Sequence, residues 1–546
     1  MSQYTFGSRI LLGALTGSAA VAVAVSQTVM VASAKTTQEV AQIATQVTVR
    51  INPAGQSGGG SGVIISKKGS SYTVLTANHV VQNNMPYNIV TSSGKSYSAT
   101  KVVHIQRSSS EPDLAIATFK SAESYPVAAI GSSDQMSIGA AIYVCGYPAP
   151  GLGDTERTFE FTDGIVTSRP QTRPQGYTLR YNALTRGGMS GGPVLDDMGR
   201  LVGIHGQGDN AGSAQGEGDS GGISIKTGFN AAIPIKTFVS KIAQAGISTA
   251  DLKINNTASA SSKPAALKNP TKSSDFYARG LAQADKGDKT AALADLNKAI
   301  QLDVSSAKAY RSRGIARLQL IGDSDIEMKS KGSRAALQEA IQDFDQAIRL
   351  NPKDAVSYYN RSNRFFLGEK QEALQDSNQA VILDSSDAKS YSSRGFFRSH
   401  LDDKKGAIED YKISLGINKN NYDAYEGLGY IFSKQKDYQV AIEYHTQAIH
   451  VDPNRPEAYV NRGTIRFYSK DYQGALEDAN KGIQVRPSFA QTYSLRAFIR
   501  KQMGDREGAT SDFRKAADLF LEQGNSDMYK SNLRNIERMD GKFRFF

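Results

Sequence analysis

The sequence predicts two unlike folded parts in one chain, an all-β domain of barrel or sandwich kind followed by an all-α helical array. Three observations carry this reading. Residues 40–245 hold short apolar runs separated by turn residues, from residue 274 onward aromatic and small residues recur every 34 positions, and residues 255–273 between them are Ser, Ala, Lys, Asn and Pro with few apolar side chains. The length of 546 residues suits several domains. Hydrophobic residues at 39% and charged residues at 21% describe a globular chain and exclude a disordered or collagen-like one. The single cysteine, Cys145, excludes an internal disulfide and a multi-cysteine zinc site. No metal or cofactor is expected. The net charge of +11 falls mostly after residue 250 and shows no aromatic-interleaved nucleic-acid motif, so no nucleic-acid partner is expected.

The first 34 residues read as an export signal. Arg9 precedes an apolar stretch from Ile10 to Val31, which ends in Ala32-Ser33-Ala34 before Lys35. Cleavage after Ala34 is favoured over an uncleaved anchor, because Gly, Ser, Thr and Gln dilute the apolar run. The expected product is exported to the periplasm, the cell exterior or a thylakoid lumen, with no membrane segment after cleavage.

Residues 35–250 form the β domain. Short strands are expected over Gly62–Ser66, Tyr72–Ala77, Asp113–Phe119, Ala140–Gly146, Phe159–Thr167 and Leu201–His205. Ile235, Phe238, Val239 and Ile242 have helical spacing, so a helix is expected within Ile233–Ala245. Residues 251–273 are expected to be a flexible linker.

Residues 274–524 hold seven repeats. Tyr391, Tyr425, Tyr459 and Tyr493 are 34 apart, as are Ala407, Ala441, Ala475 and Ala509. Pro352, Pro453 and Pro487 close their repeats, which completes the tetratricopeptide pattern. Each repeat is then a helix pair that cannot bury its apolar face alone, and successive pairs stack into a solenoid. The second repeat carries an extra segment around Ile321–Arg334 and the third is one residue short. Residues 525–546 supply a capping helix, Asn525–Met539, and a tail. The concave face is expected to take a protein partner, with Glu426, Tyr430, Val460, Thr464 and Phe467 on it.

The chemistry lies in three segments of the β domain: Thr76-Ala77-Asn78-His79, Glu111-Pro112-Asp113-Leu114-Ala115, and Gly187-Gly188-Met189-Ser190-Gly191-Gly192-Pro193. A serine hydroxyl is a weak nucleophile at neutral pH. It needs a base within reach, and the base needs a third group to fix its tautomer. His79, Asp113 and Ser190 supply base, orienting carboxylate and nucleophile. The glycines around Ser190 suit a tight turn whose Gly188 and Ser190 amides form an oxyanion hole.

These segments resemble the chymotrypsin-clan serine proteases, and within them the disulfide-free HtrA-type bacterial branch. Gly60 to Ile65 and Leu75 to Val81 look like the strands leading to the base, Asp113-Leu114-Ala115 like the acid segment, and Ile130 to Asp134, with Ile138 to Pro148, like the interdomain stretch. Gly188 to Val194 and Gly199 to Ile204 resemble the nucleophile turn and the strand beside the cleft. The resemblance implies two six-stranded β-barrels with the triad between them. Met189 stands where the digestive enzymes use an aspartate for activation, so that route is not expected. The chain also continues into helical repeats rather than a PDZ domain. Leu184, at the pocket-floor position, disfavours Lys or Arg in the substrate. Thr185 and His205 match the pocket pattern of glutamyl endopeptidases, which favours acidic residues slightly over small apolar ones, with Arg186 adding positive charge nearby.

The functional expectation is an exported serine endopeptidase that hydrolyses peptide bonds of protein or peptide substrates, with repeats that recruit substrates or partners. The alternatives are a repeat adaptor with a dormant protease-like domain, or an esterase using the same triad. Cys145 lies in an apolar strand and reads as core.

Overall fold

The computed structural model describes residues 34–55, 58–150, 156–208, 225–257, 267–321 and 331–539. The expected signal peptide, the tail after 539 and most of the extra segment in the second repeat lie outside the described residues.

A helix, α1 (Thr37–Val47), opens the described chain where the sequence reading placed none. Its capping box is Thr36, whose hydroxyl accepts from the Glu39 amide while the Glu39 carboxylate accepts from the Thr36 amide. Val40, Ala44 and Val47 bury one face against the β domain.

Seven strands form the first sheet: β1 (Thr48–Pro53), β2 (Gly60–Lys68), β3 (Ser71–Ala77), β4 (Tyr87–Val90), β5 (Ser96–Ser98), β6 (Lys101–His104) and β7 (Leu114–Lys120). Their order is β5-β4-β1-β2-β3-β7-β6. The second sheet contains β8 (Ala129–Ile130), β9 (Ala141–Gly146), β10 (Glu160–Ser168), β11 (Leu179–Tyr181), β12 (Pro193–Leu195), β13 (Leu201–Gln207), β14 (Asn230–Pro234) and β15 (Lys253–Ile254). Pairing of β12 with both β9 and β13 closes β12-β9-β10-β11-β14-β13 into a six-stranded barrel. The expectation of two six-stranded barrels is therefore met by the second sheet. The first is a seven-stranded half-barrel, whose outer strands β5 and β6 are short and are not paired to each other among the described residues. Buried aliphatic residues such as Val63, Leu75, Leu114, Leu201 and Ile204 form one core spanning the two sheets.

Two expectations change at the end of this domain. Within Ile233–Ala245, the first two residues belong to β14, helix α2 takes Ile235–Ser240, and a separate tight turn takes Ile242–Ala245. The start of the expected linker is ordered: β15 pairs with β8, the Asn255 amide donates to Ile130, and Arg200 Nη1 donates to the Asn255 carbonyl.

Helices then stack in antiparallel pairs: α3 (Ser273–Asp285) with α4 (Lys289–Leu302), α5 (Ala307–Leu320) with α6 (Lys331–Leu350), α7 (Ala355–Arg361) with α8 (Lys370–Leu383), α9 (Ala388–His400) with α10 (Lys404–Ile417), α11 (Tyr422–Lys434) with α12 (Tyr438–Val451), α13 (Pro456–Tyr468) with α14 (Tyr472–Val485), and α15 (Ala490–Gln502) with α16 (Arg506–Glu522). Helix α17 (Ser526–Met539) covers the last pair through Ile536 and Met539. The small residues of the period mark close approach: a Cβ on Gly395 would sit 3.1 Å from the Tyr411 ring and 3.2 Å from the Ala407 carbonyl. Polar ties recur beside them. Arg394 grips Asp410 at 2.6 and 2.9 Å, and Arg462–Asp478 and Arg496–Asp512 repeat the fork. The missing residue of the third pair falls in its turn, where only Gly368 and Glu369 precede α8, whereas Leu401, Asp402 and Asp403 separate α9 from α10. After α7 the chain runs as a 3₁₀ turn over Ser362–Leu367.

The repeats pack on the second barrel through their first helices. Asn182 donates to the Tyr277 hydroxyl at 2.7 Å, and Arg180 pairs with Asp285 at 2.6 Å. Asn360 binds the Lys226 backbone in both directions, accepting from its N–H at 3.0 Å and donating to its carbonyl at 2.9 Å. The Lys226 ammonium reaches Asp387 at 2.5 Å and lies 4.8 Å from the Tyr359 ring centre. Ile225 packs against the buried cluster of Ile315, Leu318, Leu337 and Phe344.

Candidate active site

Antiparallel pairing of β3 with β7 places His79 beside Asp113. The register Thr76↔Ala115 and Ala77↔Leu114 sets residue 78 opposite residue 113, and the Asn78 amide donates to the Asp113 carbonyl at 3.1 Å. The chain then turns over Asn78–Val80 and presents His79. Its backbone N–H donates to Asp113 Oδ1 at 2.9 Å, and its ring Nδ1 lies 2.6 Å from Asp113 Oδ2. A carboxylate only accepts, so Nδ1 carries the hydrogen and Nε2 is left as the acceptor. Burial acts to raise the Asp113 pKa. The hydrogen bonds and charge of His79, with the Tyr177 hydroxyl, outweigh it and hold this carboxyl below its ordinary value.

Ser190 arrives from the second sheet, on the turn before β12. The Ser61 amide of β2 donates to the Ser190 carbonyl at 2.8 Å, which ties the Ser190 turn to the first sheet. His79 and Ser190 line the same open cleft, about 300 Å³ in volume, together with Pro53, Gly59, Val80, Asn83, Tyr87 and Gly188. Ser190 Oγ has no hydrogen-bond partner among the described residues.

The turn is held so that two amides stay free. The Gly187 carbonyl accepts from the Ala149 N–H at 2.7 Å. Because the peptide is trans, the Gly188 N–H points the opposite way. Gly188 has φ +93°, and a Cβ there would meet Ala149 N at 2.7 Å, so only glycine fits. The Gly188 carbonyl accepts from Ser61 Oγ and from Arg157 Nη2, each at 2.8 Å. Among the described residues, neither the Gly188 nor the Ser190 amide donates to a recorded acceptor. These are the two amides that the sequence reading assigns to an oxyanion hole.

Two residues that sequence reasoning missed support this geometry. Tyr177 donates from its hydroxyl to Asp113 Oδ2 at 2.6 Å, and is buried. Its hydroxyl occupies the space beside Gly206, where a Cβ would lie only 2.1 Å from it. Arg157 reaches the carbonyls of Gly60 at 3.0 Å, Pro148 at 3.2 Å and Tyr147 as well as Gly188. Burial lowers its pKa to about 10, which leaves it charged at neutral pH. Neither residue sits in a local pattern, because Tyr177 acts on Asp113 and Arg157 gathers Gly60 and Gly188 from distant segments as well as the nearby Tyr147 and Pro148.

The residues expected to read the substrate are placed differently. Leu184 and Thr185 are half-buried and, like His205, lie outside the cleft lining given above. His205 is 2% exposed, with the Tyr181 hydroxyl 2.7 Å from its Nδ1. Burial, followed by the charge of His79, lowers its pKa to about 3, with the Ala231 backbone bonding the ring in the opposite sense. The imidazole is neutral. Arg186 is paired with Glu160.

Other residues take the places their surroundings dictate. Cys145 is fully buried and its thiol is pushed up to about 12. On the repeats, Glu426 does not face solvent as expected: it is 1% exposed, bonded to His445 at 2.8 Å and to the Asn461 amide at 2.6 Å. Tyr430 is exposed, whereas Val460 and Phe467 pack partly on the α14–α15 core. Among the described residues, no helix is long and apolar enough to cross a membrane.

Comparison with known proteins fits this architecture. Residues 60–204 match the trypsin-like peptidase domain, and residues 276–303 and 422–455 match the tetratricopeptide repeat. The serine protease Do-like HtrA of Bacillus subtilis is 32% identical over 159 residues, 28% of this chain and 33% of that protein. A probable periplasmic serine endoprotease DegP-like of Buchnera aphidicola is 32% identical over 150 residues, 27% of this chain and 29% of that protein. The chain thus spans about a third of the length of these relatives. A tetratricopeptide repeat protein from Parabacteroides merdae aligns at 20% identity and TM-score 0.39, covering 48% of this chain and 98% of that one. Residues 60–204 are a trypsin-like peptidase domain, and the chain joins it to tetratricopeptide repeats.

Proposed function

We propose that the protein is an exported serine endopeptidase. The observation that carries this reading is the His79–Asp113 pair on the same cleft as Ser190, beside two amides with no acceptor among the described residues. In the proposed reaction, Ser190 Oγ attacks the scissile carbonyl carbon while His79 Nε2 takes its proton. The negative oxygen rests on the Gly188 and Ser190 amides. Collapse breaks the C–N bond, and His79 returns the proton to the leaving amine. Water, deprotonated by His79, then releases the acid from Ser190. Export is supported by the leader pattern in residues 1–34 and by likeness to a protein described as periplasmic.

The choice of residue at the scissile bond follows from what donors remain. A buried substrate carboxylate left unpaired costs several kcal/mol. His205 is neutral with its ring already bonded, and Arg186 is paired with Glu160. This leaves Thr185 as the one expected pocket donor and shifts the preference from acidic toward small uncharged residues. A peptide-library profile checks this: enrichment of Ala or Val on the acyl side is expected, and enrichment of Glu or Asp would reject it.

The test of the main reading is labelling by a fluorophosphonate probe. Labelling at Ser190 in the intact protein, with casein cleavage lost in Ser190→Ala, is expected. Unlabelled wild-type protein would favour a repeat adaptor with a dormant domain.

A further inference from the structure

The repeats reach the nucleophile turn itself. The turn between α8 and α9, residues 384–387, lies against Arg186 and Gly187 in the loop that leads to Ser190. The Gly187 N–H donates to Ser386 Oγ at 2.9 Å, and that hydroxyl donates onward to Asp384 Oδ1 at 2.7 Å. Ser385 Oγ donates to the Pro150 carbonyl at 2.9 Å, beside the Ala149 amide that holds the Gly187 carbonyl. Arg186 Nη1 reaches the Leu383 carbonyl at 3.5 Å. Asp387, in the same turn, receives Lys226. Both polar groups of Gly187 are therefore committed, its N–H to the repeats and its carbonyl to Ala149. With both ends held, the following amide, Gly188 N–H, is fixed toward the cleft.

We propose that Ser386 is a positioning residue for the oxyanion hole, supplied to the peptidase domain by the helical repeats. It acts through Gly187 and touches no reacting atom. The proposal rests on the catalytic reading above and adds to it that the repeats are part of the catalytic apparatus as well as a binding surface. Ser386 holds the 186–187 peptide through the Gly187 N–H, and Ala149 holds the 187–188 peptide through the Gly187 carbonyl; with the Ser386 bond lost, Gly187 is anchored on one side only and the Gly188 donor is held less firmly toward the developing negative oxygen.

The test uses the full chain with Ser386→Ala and Ser386→Thr. The readouts are the phosphonylation rate of Ser190 by a fluorophosphonate, kcat and KM on a casein-derived peptide, and the melting temperature. One lost neutral hydrogen bond corresponds to about a three- to tenfold effect. Ser386→Ala is expected to slow phosphonylation and kcat by about that factor, with KM and melting temperature unchanged, and Ser386→Thr to restore the rate. A wild type that does not label overturns the catalytic reading and this proposal with it. A wild type that labels, with Ser386→Ala equally fast or Ser386→Thr equally slow, overturns the role of Ser386 alone.

Discussion

Tyr177→Phe isolates one hydrogen bond at the acid of the site. The hydroxyl lies 2.6 Å from Asp113 Oδ2, the same oxygen that faces His79 Nδ1. Removing it leaves the ring in place and takes away one of three donors to a carboxylate that is only 3% exposed. A hydrogen bond to a charged acceptor contributes about 1.5–3 kcal/mol. Two donors from His79 remain, so the lower end applies to catalysis, and a loss of about tenfold in kcat is expected. KM should hold, because Tyr177 lies outside the cleft lining. Gly206→Ala provides a second route to the same state, since its Cβ would have to displace the hydroxyl from a distance of 2.1 Å. The assay is the fluorophosphonate labelling rate of Ser190 against pH, beside casein cleavage. Rates within twofold of wild type for both variants would refute a supporting role for Tyr177.

The remaining expectations concern stability and reactivity. Burial lowers the His205 pKa to about 3 in the folded protein, against an ordinary value of 6.5 in the unfolded chain. The unfolded chain therefore takes up the proton first as pH falls. Its contribution to stability is full above pH 6.5 and declines toward pH 3, costing about 2 kcal/mol between pH 6.5 and 5. Denaturant melts followed across that range should show this slope, and His205→Leu should flatten it. Asp410→Ala strips a fully buried carboxylate from Arg394 and Arg398. It should cost about 3 kcal/mol and lower the helical melting transition by about 6–12 °C, read by far-UV circular dichroism. Cys145 should resist thiol reagents in the native protein and react on unfolding, given its burial and raised pKa.

What the sequence disclosed depended on how local each signal was. Strands β2, β3, β7, β9, β10 and β13 carry their own apolar runs and were legible. Strands β5 (Ser96–Ser98) and β6 (Lys101–His104) are short and half-exposed at the sheet margin, so no burial pattern marks them. Helix α1 left a readable trace in Thr36 and Glu39, a capping box ahead of Val40, which a search for strands passes over. His79, Asp113 and Ser190 lie in motifs with strong neighbours, and the structure brings the first two into contact and sets the third on their cleft. Tyr177, Arg157 and Ser386 had no such setting. Each acts through a partner at least 30 residues away in sequence or on another domain. Glu426 was misread because its helix position suggested an outward face, whereas His445 from the paired helix and Asn461 from the next draw it inside.

The grip of Asn360 on the Lys226 backbone has a bearing on recruitment. A side-chain amide that pairs with both backbone groups of one residue can hold an extended segment, and here that segment belongs to the molecule's own β domain. The berths on α3, α5, α7 and α9 are already filled from within, by Asn182, Asp163, Lys226 and their neighbours. On the proposed reading, the later helices, α11, α13 and α15, are what the repeats keep open to a foreign protein, along the far end of a cradle whose near end grips the trypsin-like domain.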